Sequence, residues 1–312
     1  AVGLNALDVM TTAAQNTALG ACALAATTTG GCNTGVGYLS LTANTTGTNN
    51  VSVGRCALAA NTTAVNNTGV GYFALKSNTE GGCNVAVGRI SLQDNTTGAN
   101  NVAIGASASQ SNTTGGENTA LGKSTLTSNT TGCKNVAIGS GALLSNTEAN
   151  DNIAVGYQSL EQNTTGTSNV SIGCGALESN TTASDNVAMG KRALGGTTTG
   201  CRNTAVGRTA MNSNSTGDTN TALGYEALYA NTTADNNTAV GSQALKTNTT
   251  AAQNTALGTQ SLKLTTTGAA NTAVGYRAME DNTTGTLNTA IGCAALVTNT
   301  TGANNTAVGK EA

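Results

Sequence analysis

The apolar residues of this chain fall on a grid. Counting in units of 17 from Thr17, Thr34 and Val51 onward to Thr306, position 1 is β-branched in every unit, position 3 is aliphatic, and position 8 is Leu apart from Ser109, Met211 and Met279. Position 2 is always small (Ala, Gly35, Gly69, Ser52 or Ser171), and position 7 is Ala, Ser or Thr125. Position 4 is Gly each time, from Gly3 to Gly309, and position 17 is Asn each time, from Asn16 to Asn305. The consensus reads T-A-V-G-Y-x-A-L-x-x-N-T-T-G-x-x-N, without gap or insertion.

A period of 17 is too short for the common helical repeats, which need about 33 residues or more. It suits one turn of a parallel β-solenoid, and the fold class expected is all-β: a β-roll of about eighteen 17-residue coils, one continuous repeat domain over 1–312. Positions 1 and 3 lie on one face of a short strand and are expected to point inward with Leu at position 8. Positions 6 to 9 are expected to form a second short strand. Gly at position 4 allows φ > 0 or a close approach of the next segment, and N-T-T-G reads as a turn. Stacking at the strand spacing of ~4.8 Å would give a rod of roughly 86 Å. It would also align the position-17 residues Asn16, Asn33, Asn50, Asn67, Asn135 and Asn305 in a ladder of side-chain amides.

Composition sharpens this picture. The chain has no Pro, His or Trp, one Phe (Phe73), and 9% charged residues, against about 25% in ordinary globular domains. Disorder combines low hydrophobicity with high net charge, whereas here 38% of residues are hydrophobic and the net charge is −2. Each coil offers about three medium apolar side chains at ~1.5–3 kcal/mol apiece, which barely offsets backbone ordering of ~1–2 kcal/mol per residue. An oligomer or polymer of the chain with itself is therefore expected, side by side or end to end. The chain begins at coil position 2 and stops at position 7 without an atypical capping sequence; either it is a fragment or its ends are expected to stack, since uncapped solenoid ends favour stacking.

Little points to chemistry. Without His there is no Ser-His-Asp or Cys-His arrangement, the glycines recur at 17 rather than in a phosphate-cradling pattern, and Asp and Glu are scattered, adjacent only at Glu280–Asp281. No enzyme, cofactor or metal site is expected. The 13 Lys and Arg residues are scattered along the chain, adjacent only at Lys191–Arg192, so no nucleic-acid partner is expected. No apolar run approaches the ~18 residues of a membrane span.

The Asn-β-branched-Ala-aliphatic-Gly phrase, as in Asn101 to Gly105 and Asn135 to Gly139, followed by small-x-Ala-Leu, resembles the head repeats of trimeric autotransporter adhesins, with similar phrases in phage tail-fibre shafts. The resemblance covers essentially the whole chain. It implies a left-handed parallel β-roll, three chains side by side, outside the cell and used for adhesion. The departure is the period: the family's head repeats run to about 14 residues, and here the N-T-T-G turn makes 17.

The eight cysteines fall only at coil positions 5, 6, 15 and 16. Cys56 and Cys83 are 27 residues apart, as are Cys174 and Cys201. These two pairs are disulfide candidates, with Cys22–Cys32 a weaker one, and Cys133 and Cys293 are candidates for bonds between subunits. Free small hydrophobes are the competing reading. Twelve coils carry an N-glycosylation acceptor pattern: Asn44, Asn61, Asn95, Asn112, Asn129, Asn163, Asn180, Asn214, Asn231, Asn248, Asn282 and Asn299. Turn chemistry alone selects the same residues. The paired Thr at positions 12 and 13 invite comparison with ice-binding solenoids, although adjacent residues point to opposite sides of an extended segment. Tyr38, Tyr72, Tyr157, Tyr225 and Tyr276, all at position 5, are candidate contacts between neighbouring rolls or simply cover a strand face.

Together these observations lead to the expectation of a structural, self-assembling extracellular or cell-surface filament, possible glycans included. The shaft or head of a trimeric adhesin or tail fibre is the alternative, and an ice-binding solenoid the third reading.

Overall fold

The computed structural model describes all 312 residues and contains eighteen three-residue strands and no helix. Every strand occupies coil positions 1 to 3, so the 17-residue period of the sequence is the period of a parallel β-solenoid. Two compact units, Ala1–Tyr157 and Gln158–Ala312, are each built in the same way. The first runs from β1 (Thr17–Leu19) to β9 (Ile153–Val155), the second from β10 (Val170–Ile172) to β18 (Thr306–Val308). Within each unit successive strands pair parallel with a shift of one whole coil, Thr17 opposite Thr34 in the first and Val170 opposite Val187 in the second. An in-register parallel stack places like residues above one another at ~4.8 Å. Every rule that holds for one coil therefore becomes a row.

The strand faces the opposite way from the one expected. Position 2 is the inward residue: Ala86, Ala103, Ala120 and Ala137 are wholly buried, while positions 1 and 3 are partly or largely exposed. The cause is the narrowness of the coil. Leu at position 8 is wholly buried in every full coil but the last, where Leu296 is partly exposed, and it fills the interior across from position 2. A Cβ added to Gly35 would lie 3.2 Å from Leu24 Cγ. Only a small side chain fits opposite that leucine, so the bulky partners at positions 1 and 3 turn outward.

The second strand does not form. Positions 5 to 10 make one continuous turn, because positions 6 and 8 adopt left-handed φ, as at Cys56 (+53°), Leu58 (+49°) and Leu92 (+45°). Left-handed φ costs L-residues roughly 1–2 kcal/mol. It also bends the chain sharply enough for a short coil to close with Leu buried. Backbone pairing between coils survives the bend, as in Leu24 N–H to the Ser40 carbonyl at 2.9 Å and Cys22 N–H to the Leu4 carbonyl at 2.8 Å. The remaining third of the coil, positions 11 to 17, buries every third residue: Asn, then Gly or Ala, then Asn.

Two buried amide ladders run along the stack. At position 17 the carboxamide oxygen accepts the backbone N–H of the next Asn, as for Asn33 N–H to Asn16 Oδ1 at 2.8 Å. Its Nδ2 donates to the carbonyl fourteen residues on, as for Asn33 to Gly47 at 2.8 Å. This ladder is therefore mainly side chain to backbone, with direct amide–amide bonds at some steps such as Asn50 to Asn33 at 3.1 Å. The purely side-chain ladder lies at position 11, where the sequence suggested only a turn: Asn95 donates to Asn78, Asn112 to Asn95 and Asn129 to Asn112, each at 2.8 Å. Position 12 completes the seal. Thr28 N–H, Thr29 N–H, Gly30 N–H and the Thr28 hydroxyl all donate to the Thr45 carbonyl. The one Ser at this position, Ser215, keeps the hydroxyl bond at 2.9 Å.

Two small departures from the consensus are paired. Ser52 replaces the inward Ala where Ser40 lies in the preceding coil, and their hydroxyls bond at 2.7 Å; Ser159 and Ser171 repeat the arrangement at 2.7 Å. Each of these four hydroxyls enters the core with its partner, which offsets the desolvation penalty of an unpaired one.

Candidate functional site

The chemistry-bearing residues named from the sequence are distributed over the surface rather than gathered in a cleft. All eight cysteines are free thiols. Each candidate pair places one cysteine just after a strand and the other shortly before a later one: the next strand for Cys22–Cys32, the next but one for Cys56–Cys83 and Cys174–Cys201. The strand itself, at ~3.3 Å per residue, spans about 10 Å, beyond the ~7 Å that a disulfide bridges between Cα atoms. Equal spacing in the sequence signalled equal geometry, and that geometry is an open one.

At position 15 the thiols have another role. Cys133 Sγ accepts the Gly116 N–H and donates to the Thr131 carbonyl, both at 3.3 Å. Cys201 does the same with Ser184 and Thr199, again at 3.3 Å. Other coils use Asn150, Ser184 and Asp218 to accept the corresponding N–H. A cysteine there is one of several interchangeable acceptors. Cys293, at position 5, is exposed.

The acceptor asparagines of the N-T-T pattern lie inside the solenoid. Asn44, Asn61, Asn95, Asn112, Asn129, Asn163, Asn180, Asn214, Asn231, Asn248 and Asn282 are at most 1% exposed, and Asn299 is partly buried. The Nδ2 that would carry a glycan donates instead to the carbonyl three residues on, as for Asn95 to Gly98 at 2.9 Å, and in most coils to the preceding Asn as well. In the folded chain these amides are closed to a glycan. The position-12 hydroxyls are likewise taken up by backbone carbonyls, so of the paired Thr only position 13 forms an exposed row.

Two surfaces remain. The outer strand face carries the position-1 and position-3 side chains in parallel rows, with Leu19 48%, Leu223 46% and Ile291 42% exposed. One residue past the glycine that ends each strand lies the position-5 row, where all five tyrosines are exposed. This row also gathers basic residues that look isolated in the sequence. Arg55 stands between Tyr38 and Tyr72, and Arg208 precedes Tyr225, with guanidinium-to-ring distances of 5.7 Å for Arg55 over Tyr72 and 5.9 Å for Arg208 over Tyr225. Seventeen residues hide a neighbour from any local window.

In the second unit some of the charges are paired. Glu226 accepts from Lys246 Nζ at 2.7 Å, the Tyr225 hydroxyl at 2.8 Å and Gln243 Nε2 at 3.1 Å. The Lys246 bond is the largest of the influences that hold its carboxyl below the ordinary glutamate range, with partial burial opposing. Glu280 bonds both Arg277 and Lys263, and the Glu280 bond pushes the Arg277 guanidinium up. For Glu226 the folded pKa is depressed, so its stabilisation is complete above the unfolded pKa and is lost as pH falls through the folded value. Glu226→Gln should cost less than about 1 kcal/mol at neutral pH. The gap from the parent protein in urea melts should close as pH drops through the carboxylate range.

The chain matches no known protein-family model and no curated protein. No helix is long and apolar enough to cross a membrane.

Proposed function

We propose that this chain is a structural, non-catalytic component of an extracellular filament that assembles by association of its solenoids. One observation carries the reading: the bulky apolar residues of each strand face outward in rows, while the interior is filled by Ala, Leu and hydrogen-bonded Asn. Contiguous exposed apolar surface of this kind favours association. Coils identical in register also make one chain a template for another. The extracellular placement rests on the resemblance to adhesin head repeats, since the free thiols remove the argument from disulfides.

The same outward rows favour a second reading, the shaft or head of a trimeric adhesin or tail fibre. In it the Asn-β-branched-Ala-aliphatic-Gly phrase supplies an apolar face for side-by-side packing of three chains.

Electron microscopy of the purified, unreduced protein, with its mass in solution, separates the two. Filaments much longer than one chain are expected, and a discrete three-chain particle would favour the second reading. Shortening by reductant would place Cys133 or Cys293 at the joints between chains. Val53→Lys with Ile104→Lys puts two charges on the outward rows and should dissolve assemblies, with stability changed by only about 0.5 kcal/mol per surface site. Single-chain particles for the parent protein would overturn both readings.

A further inference from the structure

In the first unit, four successive coils carry Tyr38, Arg55, Tyr72 and Arg89 at position 5. In-register stacking sets them in one line at ~4.8 Å intervals, so like residues recur at about 9.6 Å. All four are exposed. Tyr72 stacks on Phe73 with centroids 4.0 Å apart, and Lys76 Nζ lies 4.5 Å from the Phe73 centroid, so a third cation borders the line. None of the chain's ion pairs involves Arg55, Lys76 or Arg89; all five lie in the second unit. No acidic residue occupies positions 1 to 9 of these four coils.

We propose that this line is a binding site for an acidic polysaccharide in which a uronate alternates with an uncharged sugar. An extended pyranose chain advances by about one strand spacing per ring, so a chain lying along the solenoid presents one sugar to each coil. The apolar C–H face of one ring then rests on a tyrosine, a rigid surface that is apolar with a polar tip. The carboxylate of the next ring meets a guanidinium, which is shaped for bidentate recognition of planar oxyanions. Alternation of aromatic and cation along the protein matches alternation of neutral and acidic sugar along the ligand. A polyanion charged at every residue fits less well, because half the line is uncharged and the whole protein has a net charge of −2. That argument selects a polysaccharide over a nucleic acid. The site would let a filament hold a surface or matrix polymer, yet it stands whether or not the chain assembles.

The test measures binding of the intact protein to hyaluronan, with dextran as an uncharged polymer and single-stranded DNA as a fully charged one. Hyaluronan should bind, and both Arg55→Ala/Arg89→Ala and Tyr38→Ala/Tyr72→Ala should weaken it about tenfold, the order expected for two exposed contacts. Lys134→Ala, which removes a cation outside the line, should leave binding unchanged. Circular dichroism melts check that each variant is folded. The proposal fails if hyaluronan does not bind, if the tyrosine pair is without effect, if Lys134→Ala weakens binding as much as the arginine pair does, or if DNA binds as tightly as hyaluronan.

Discussion

Gly88→Val should destabilise the protein by upwards of about 3 kcal/mol, among the larger effects of a single substitution. Gly88 has φ +136°, a conformation that residues with a Cβ rarely adopt, and an added Cβ would lie 2.5 Å from the Gly105 carbonyl oxygen and 2.7 Å from its carbon. Relief would require separating two coils whose backbones are hydrogen-bonded on either side, with Gly88 N–H donating to the Val70 carbonyl at 2.8 Å and Gly105 N–H to the Val87 carbonyl at 2.8 Å. Solenoid stability is approximately a sum over neighbouring coils, so one broken junction should also split the melt. The expected result in urea is a second, earlier transition. A single transition displaced by under about 1 kcal/mol, the Gly-to-Ala scale of an ordinary position, would show that the junction yields where the structure says it cannot. Position 14 provides the contrast. The contrast there lies in φ: an added Cβ at Gly98 would come as close, 2.4 Å from the Gly115 carbonyl oxygen, but the position-14 glycines lack positive φ, and the sequence already places Ala64, Ala149, Ala183, Ala234 and Ala251 there, all buried.

The second large effect runs in the opposite direction. The position-11 ladder is interrupted by Thr27, Thr197 and Thr265, and the hydroxyl oxygens of these three have no hydrogen-bond partner. The only other unpaired buried side-chain oxygens are Asn180 Oδ1 and Asn248 Oδ1, one coil before Thr197 and Thr265. A threonine cannot supply the amide that the preceding Asn expects. Thr197→Asn should restore a donor to Asn180 and an acceptor to Asn214, whose Nδ2 now reaches only the Gly217 carbonyl at 2.9 Å. Relieving a buried unsatisfied group is worth ~1–3 kcal/mol, so Thr197→Asn and Thr265→Asn should each raise the midpoint of thermal unfolding, and together nearly additively. Asn112→Thr should lose a comparable amount by copying the defect, since Asn112 bonds Asn95 at 2.8 Å and receives Asn129 at 2.8 Å. If Thr197→Asn lowers stability while Asn112→Thr leaves it unchanged, the ladder is not what orders this side of the coil.

The ladder also shows where sequence reading stops. Asn at position 11 looked like a turn former and a glycan acceptor because its neighbours are Thr, Thr and Gly. Local residues report turn preference, whereas burial is set by the whole cross-section. The exchange of Ser52 with Ser40 was invisible for a related reason: the two residues are twelve apart and meet only when one coil lies on the next. The Tyr38–Arg55–Tyr72–Arg89 line is of the same kind, four residues each separated by 17 that no linear window joins.

The sequence by itself determined the repeat length, the in-register parallel stacking, the glycine at the end of every strand and the inward leucine and position-17 asparagine. Those follow from strict periodicity, because a residue invariant over many coils must meet the same neighbours in each. Only the tertiary structure decided which face of the strand points inward, since alternation groups positions 1 and 3 against position 2 without saying which group is inside. The width left by Leu at position 8 settles that question in favour of alanine. The left-handed turn at positions 6 and 8, the separation of the cysteines and the burial of the position-11 asparagines then follow from closing so narrow a coil.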